Sequence, residues 1–290
     1  MNLRPTRTAI AVLLTSTLLL AGCGDDGDGD KSDSKPLGGS SSDTSASDGT
    51  SGATSGAAAS SDGGADSSDL DKDSFFETVI RAQQSAGSFR STSTTSAAGV
   101  TTELESEAIY EDGGFRGHAK STAASPQQIE TVISDGVIYL KGEGLGVPAG
   151  KWLKFDPKDP ENADNPLAGI AAAADPEVAL RAMGELDALD EVGPETVDGV
   201  KTTHYKAVMV TSNYAKELGL PAEVSTILPP KLPFDMWVDE DNRPVKFSIS
   251  FDIQGMTSKS VQTYTDYGVD LDITTPKDAD TIKYSELSQG

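Results

Sequence analysis

Two neighbouring segments near the C-terminal end of the chain alternate apolar and polar residues with a strict period of two. The apolar positions are Leu232, Phe234, Met236 and Val238 in the first segment and Val245, Phe247, Ile249, Phe251 and Ile253 in the second. A polar, turn-forming stretch at residues 239–244 separates the segments. Successive side chains of a strand point to opposite faces, so the pattern predicts an antiparallel hairpin with one apolar and one solvated face. Other elements must cover the apolar face.

Weaker strand signals occur along most of the preceding chain, bounded by turns rich in glycine, aspartate and serine. They lie at residues 88–97, 104–110, 115–119, 129–133, 137–140, 152–155, 189–192 and 202–210, and a final strand is expected at residues 261–267. Residues 134–136 and 197–199 are typical of tight hairpin turns because each ends in Asp-Gly. The chain is therefore expected to form a long antiparallel sheet.

Helical signals are fewer and shorter. Asp73 or Ser74 can cap a helix that starts at Phe75 and ends at Gly87. Further helical spacing occurs at residues 167–174 and 175–186, and a short helical or irregular insert is expected at residues 214–227. The apolar face of the helix at 175–186 consists of Val178, Ala179, Ala182, Met183 and Leu186. An amphipathic sheet needs such a cover, so the fold class is predicted to be α+β, with helices packed on the apolar face.

The N-terminal segment has the features of an export signal. Arg4 and Arg7 precede an apolar run, Ala9–Leu20, which is too short to span a bilayer. Residues 20–23 read Leu-Ala-Gly-Cys and resemble the bacterial lipobox, which implies cleavage before Cys23 and acylation of its sulfur. The alternative is an ordinary cleavage site followed by a chance cysteine. We expect a signal peptide at 1–22 and a lipid anchor at Cys23 on the extracytoplasmic face of the cell membrane.

Composition divides the remainder into a linker at 23–68 and a domain at 69–290. Residues 24–68 carry almost no large apolar side chain, so a disordered tether of about 45 residues with a reach of roughly 35–40 Å is expected. The net charge of −23 argues against nucleic acid and against electrostatic binding to anionic lipid, so membrane attachment depends on the acyl chains. Cys23 is the only cysteine, which leaves the domain without a disulfide or a thiol nucleophile.

No catalytic, cofactor or metal motif is recognisable in the domain. His118 and His204 lie among polar residues on predicted strands and outside any zinc-binding spacing, which favours surface or hydrogen-bonded histidines over metal ligands. The glycine-rich stretch Gly142–Gly150 links two predicted strands and is interpreted as a mobile loop or rim. The sequence therefore predicts a protein that is not an enzyme and that uses no cofactor or metal.

Several segments resemble the LppX/LprG family of actinobacterial lipoproteins, which is related in fold to the LolA and LolB carriers. They are the lipobox, residues 197–205, the hairpin at 232–245 and the ending at 267–276. The resemblance implies a curved, half-open antiparallel sheet, a half-barrel, with helices on its concave apolar face and an apolar cavity for the acyl chains of a lipid. It also implies a role in carrying glycolipids or lipoproteins across the cell envelope.

An apolar stripe supplies the candidate lipid-binding residues. It consists of Met183, Met209, Met236, Val238, Phe247, Ile249 and Phe251. Two interpretations stay open, because such residues form an ordinary core as readily as they line a cavity, and methionine adapts to either. The first hypothesis is a lipid-binding carrier whose headgroup lies at the rim, near Gly142–Gly150. The second is an envelope sensor or protein-interaction module that recognises a basic partner through its acidic surface.

Overall fold

The computed structural model describes residues 70–111, 114–143, 145–162, 186–212, 228–253 and 255–287. All of them belong to one compact unit, which excludes residues 25–67. The predicted signal peptide, Cys23, the linker, the helical segments within 167–185 and the insert at 214–227 lie outside the described residues. No helix in the described ranges is both long enough and apolar enough to cross a membrane.

Within the described ranges, twelve strands form one sheet. Their bounds are β1 Ser88–Ala97, β2 Val100–Glu111, β3 Gly114–Ser121, β4 Ile129–Ser134, β5 Val137–Gly142, β6 Trp152–Phe155, β7 Leu186–Val197, β8 Val200–Val210, β9 Lys231–Val238, β10 Pro244–Ile253, β11 Met256–Thr265 and β12 Thr281–Lys283. Their order is β12-β6-β5-β4-β3-β2-β1-β11-β10-β9-β8-β7, with β12 and β7 as open edges. The tight turns form where expected, since Asp135 and Gly136 both have positive φ, at 53° and 73°.

One pairing contradicts the prediction of a purely antiparallel sheet. β12 pairs with β6 in parallel, which makes the sheet mixed at one edge. The chain reaches that edge by the segment 266–280, which crosses the sheet after β11. The Gly268 amide donates to the Ser88 carbonyl, and the Thr275 hydroxyl donates to Ser134. This long crossover connection permits parallel pairing, which a short hairpin turn does not.

Helix α1, Phe75–Ala86, confirms the predicted first helix, with Ser74 and Gly87 at its ends. Gly87 has a φ of 77°, the left-handed conformation that commonly ends helices at glycine. The apolar side of α1 packs on the sheet through two ring contacts. Phe75 meets Tyr205 edge-on at 5.6 Å, and Phe76 stacks on Phe234 at 5.7 Å. A four-residue helix, α2, Tyr284–Leu287, adds a ring contact with Phe155 at 5.8 Å.

The main hydrophobic cluster lies on the side of the sheet that carries α1, which we call the core face. The opposite side, the outer face, carries two smaller clusters. The first contains Ile109, Val132, Tyr139 and Ile273, and the second contains Val197, Trp237 and Val245. Ile273 belongs to the crossing segment, so this segment buries part of the outer face.

Three local predictions are wrong. Val245 was expected on the apolar face with Phe247, but a β-bulge between Pro244 and Lys246 shifts the register, and Val245 packs with Trp237 instead. Leu186 was expected on a helix, yet it is the buried first residue of β7. The strand expected at residues 261–267 runs from Met256 to Thr265, because its first residues are polar and give no apolar signal.

Candidate functional site

The apolar candidates on β8, β9 and β10 lie together on the core face. Met209, Met236, Val238, Phe247 and Ile249 are all at most 4% exposed and belong to the main cluster. Register brings them into contact range, since Met236 pairs with Phe247 and Phe234 pairs with Ile249. Phe251 is partly buried against the same cluster. Met183 lies outside the described residues. Whether these side chains line a lipid cavity stays a prediction.

We call one part of this surface the apolar region and define it as Met209, Phe234, Met236, Phe247 and Ile249. Its two methionines come from neighbouring strands and its aromatic side chains include a tilted pair, Phe234 and Phe247, with centroids 5.4 Å apart. Methionine repacks easily because it is unbranched, so this surface combines rigid rings with adaptable side chains.

A second part of the core face is polar, and the sequence analysis missed it. We call it the hydroxyl region and define it as Ser91, Ser93 and Thr95 of β1 with Ser258 and Ser260 of β11, all buried. Thr95 and Ser260 hydroxyls are 3.0 Å apart, and Gln262 donates to the Ser91 hydroxyl at 3.1 Å. Residues 91–96 are six consecutive serines and threonines, so both faces of β1 carry hydroxyls and the sequence does not indicate which face is buried.

Two members of β11 on the core face keep polar atoms without partners. The Ser258 hydroxyl and the Tyr264 hydroxyl are buried and form no hydrogen bond in the part of the chain that the structure describes. Burial raises the pKa of the Tyr264 phenol well above its ordinary value of 10.0, with smaller contributions from Tyr267 and Tyr110. A buried polar atom without a partner costs stability, so these two positions are unusual on an otherwise satisfied strand.

A cavity of about 380 Å³ lies where β3, β4 and β5 meet the glycine-rich stretch. Gly142 is required there, because an added Cβ would come within 2.7 Å of the Gln128 carbonyl oxygen. Gly146 and Gly150 have φ values of 73° and 82°, which let residues 145–151 fold over the strand ends. Gly142 and Gly150 line this cavity, together with residues 147–149 of the glycine-rich stretch.

Charged side chains surround this rim cavity. Lys120, Lys141 and Lys151 line it together with Glu130 and Glu143. Glu130 accepts a contact from Lys141 at 3.8 Å, and Lys141 also lies over the Trp152 ring at 5.2 Å. Lys151 donates to the Ala279 carbonyl oxygen. Lys120 forms no ion pair with any described residue.

Both histidines are engaged by carboxylates on the outer face. His118 Nε2 lies 3.1 Å from Glu130, and His204 Nε2 lies 2.7 Å from Asp235. His204 also stacks on Trp237 with centroids 4.2 Å apart, and Trp237 donates its indole N–H to Glu195 at 2.6 Å. These contacts occupy both groups in structural roles. No cluster of three or more histidine, cysteine, aspartate or glutamate residues in the described ranges is arranged to hold a metal ion.

A curated protein shares sequence similarity with this chain. No model of a known protein family matches the chain. The relative is an uncharacterized 31.2 kDa protein from the rplA–rplJ intergenic region of Streptomyces griseus, 25% identical over 202 residues. The match covers 61% of this chain and spans 64% of the relative's length.

Solved structures with a similar fold include three proteins of interest. LprF from Mycobacterium bovis is 13% identical, with 71% of this chain and 96% of LprF covered and a TM-score of 0.47. Lipoprotein LppX from Mycobacterium tuberculosis is 13% identical, with 71% and 100% covered and a TM-score of 0.43. A putative outer membrane lipoprotein-sorting protein domain from Vibrio parahaemolyticus is 10% identical, with 68% and 92% covered and a TM-score of 0.28. LppX is a member of the LppX/LprG family that the sequence resembles.

Proposed function

We propose that this chain is a non-enzymatic lipoprotein that binds the acyl chains of a lipid or glycolipid against the core face and carries the molecule across the cell envelope. Acylation of Cys23 anchors it on the extracytoplasmic face of the cell membrane. The linker at 23–68 lets the domain at 69–290 work clear of the bilayer surface. Signal peptide, anchor and tether together are what a carrier confined to the envelope needs.

The apolar region is the observation that carries this proposal. It is a contiguous set of large apolar side chains on one face of an open sheet, with two methionines that can repack around a guest. Each CH₂ transferred from water to such a surface contributes about 0.8 kcal/mol before the costs of binding. A lipid with long acyl chains therefore has enough apolar surface to be held without specific polar contacts.

A second candidate function rests on the charge of the chain. With 46 acidic and 23 basic residues, the surface favours a basic protein partner, and such binding weakens as salt is added. In this alternative the chain is an envelope sensor or interaction module. Pull-down from envelope extract at low and high salt separates the two functions, because a salt-sensitive protein partner with no bound lipid favours the sensor.

Methionine methyl resonances give a direct test of lipid contact. We would label the methyl groups of the full chain carrying Cys23→Ala and add one equivalent of a lipid whose acyl chain carries a nitroxide. We expect strong broadening of the Met209 and Met236 signals. Met256, which is 51% exposed at the β10–β11 turn, is the internal control and should broaden far less.

Native mass spectrometry of the same protein, purified without detergent, should show a bound lipid or uptake of added phospholipid or glycolipid. Absence of both would contradict lipid binding altogether. Lipid uptake without broadening at Met209 and Met236 would instead show that the lipid binds outside the apolar region.

The lipid anchor is tested separately. Cys23→Ala should release the protein from the membrane fraction while leaving the domain folded.

A further inference from the structure

We infer that the rim cavity binds the phosphate of a lipid headgroup while the acyl chains lie against the core face. This inference rests on the proposed lipid-binding function and names the class of lipid, a phospholipid. It also gives a role to Lys120, Lys141 and Lys151, which no catalytic or metal motif uses.

The position of the cavity supports the assignment. Ile129 and Gly142 are cross-strand partners at the end of the β4–β5 ladder, and Ile129 points to the core face, two and four residues from Thr131 and Ile133. The alternate residues Lys120, Glu130 and Lys141 point to the outer face. The cavity thus lies at the rim of β3–β5, where charged side chains of the outer face meet the core-face side chains of Ile133, Ile138 and Leu140, and the apolar region of β8–β10 lies farther along the same core face. This position suits a molecule with an apolar chain and an ionic head.

The charge of the cavity supports an anionic head. Its lining holds three lysines and two glutamates, whereas the whole chain has half as many basic as acidic residues. Glu130 is already occupied by Lys141 and His118. Lys120 keeps its ammonium group without an ion pair among the described residues, and Lys151 uses one donor on the Ala279 carbonyl, which leaves others for a ligand. Both lysines are therefore available to a phosphate.

The size and shape of the cavity fit one headgroup. Its volume of about 380 Å³ lies at the small end of ligand sites, which fits a phosphate with a short alcohol and not a whole lipid. Val147, Pro148 and Ala149 also line the cavity and make part of its wall apolar. A low-polarity wall strengthens the attraction between the lysines and a phosphate, because it keeps water away from one side of the ion.

The test compares two lipids that differ only in the phosphate. Full-length protein carrying Cys23→Ala is titrated with fluorescent dioleoyl phosphatidic acid and with the matching dioleoylglycerol. We expect phosphatidic acid to bind about tenfold tighter, the effect of one partly exposed charge-assisted hydrogen bond. The preference should shrink as salt is added. Equal affinities in the wild-type protein would overturn the phosphate site while leaving the lipid-binding function intact.

Two variants and a matched control test whether the preference for phosphatidic acid arises in the rim cavity. Lys120→Gln with Lys151→Gln should reduce the affinity for phosphatidic acid to that for dioleoylglycerol. The matched control, Lys201→Gln with Lys259→Gln, removes the same charge from exposed positions outside the cavity and should leave both affinities unchanged. Ala149→Trp keeps all the lysines but fills the cavity from an exposed loop position, and it too should abolish the preference. An equal loss in the control pair would overturn the site, since net charge alone would then explain it.

A third probe, glycerol 3-phosphate, distinguishes a lipid phosphate from a soluble one. We expect it to bind at least a hundredfold more weakly than phosphatidic acid, because it lacks the acyl chains that contribute about 0.8 kcal/mol per buried CH₂. Binding as tight as that of phosphatidic acid would assign the cavity to soluble phosphate esters and overturn the lipid headgroup. Failure of both lipids to bind would overturn the proposed function together with this inference.

Discussion

The apolar region and the hydroxyl region share one face of one sheet, yet they are built on different chemistry. The border runs between β10 and β11, where Ile249 pairs with Ser260 and Phe251 pairs with Ser258. Burying the apolar region stabilises the fold directly, whereas a buried hydroxyl costs free energy unless it finds a hydrogen-bond partner. Burial on the core face therefore has different energetic consequences in the two regions. We expect stability to depend on the apolar region and to be nearly indifferent to some hydroxyls.

The largest effect is expected in the apolar region. Met236→Ala should lower the free energy of unfolding by about 2–5 kcal/mol, because a fully buried side chain is deleted and its neighbours cannot fill the space. Urea unfolding of the lipid-free protein measures the change, with Ser93→Ala of the hydroxyl region as the comparison. A loss below about 1 kcal/mol would show that Met236 contributes little to the stability of the lipid-free fold, and the two regions would then differ less than we infer.

In the hydroxyl region, the pair formed by Thr95 and Ser260 predicts strong coupling. Thr95→Val and Ser260→Ala should each cost about 1–2 kcal/mol, because each leaves the other hydroxyl buried without a partner. The double variant should be close to the wild type, since both polar groups are then gone. A double-mutant cycle in urea measures the coupling directly. Additive losses would mean that the two hydroxyls do not depend on each other.

The sequence predicted the apolar region well and the hydroxyl region poorly, for a physical reason. A period of two in large apolar residues indicates both a strand and the face that must be buried, so β9 and β10 were located almost to the residue. Ser91 and Ser93 alternate only with other hydroxyl residues, so residues 91–96 show no period of two. Serine and threonine are also stable both in water and in a hydrogen-bonded interior, so the segment does not indicate burial. Only the packing of the folded sheet distinguishes the two.

Errors in the predicted fold also have identifiable physical causes. The face of the sheet on which Val245 lies depends on a β-bulge. The bulge inserts one residue and reverses the alternation of side chains between the two faces, and nothing in the apolar pattern indicates it. β12 has three residues and pairs with β6, more than 120 positions earlier in the chain, so no local signal predicts it. The glycine-rich stretch was interpreted only as a mobile loop or rim, and the cavity itself was not predicted, because Lys120 comes from β3 and reaches the site through strand register.

Tyr264 lies on the core face of β11, beyond the hydroxyl region. Because its phenol is buried, we expect the free energy of unfolding to depend on pH. The raised pKa of Tyr264 means that the folded state keeps this proton above pH 10, where the unfolded state loses it. The resulting stability is fully present below about pH 10 and is lost as pH rises further, by about 1.4 kcal/mol per pH unit.

Tyr264→Phe removes this dependence without emptying the site. The variant and the wild type should have similar free energies of unfolding at pH 7, within about 1 kcal/mol, because the deleted hydroxyl has no partner among the described residues. Above pH 10 the variant should become the more stable protein. Tyr267, whose pKa burial also raises, is present in both proteins, so its contribution cancels in the difference. If the free energies of unfolding of the wild type and Tyr264→Phe changed in parallel up to about pH 12, Tyr264 would not be the source of the pH dependence.

The smallest effect is expected at Ser258, and it gives the sharpest test of the hydroxyl region. Ser258 and Ser260 are neighbours on one face of β11 and equally buried, but only Ser260 has a hydrogen-bond partner in the described part of the chain. Ser258→Ala should therefore leave the free energy of unfolding unchanged or raise it by up to about 0.5 kcal/mol, whereas Ser260→Ala lowers it. Thermal and urea unfolding of the two variants side by side make the measurement. Equal losses of stability in the two variants would show that position on the strand, and not hydrogen bonding, determines the cost of removing a buried hydroxyl. The apolar and hydroxyl regions would then not differ in stability for the reason given above.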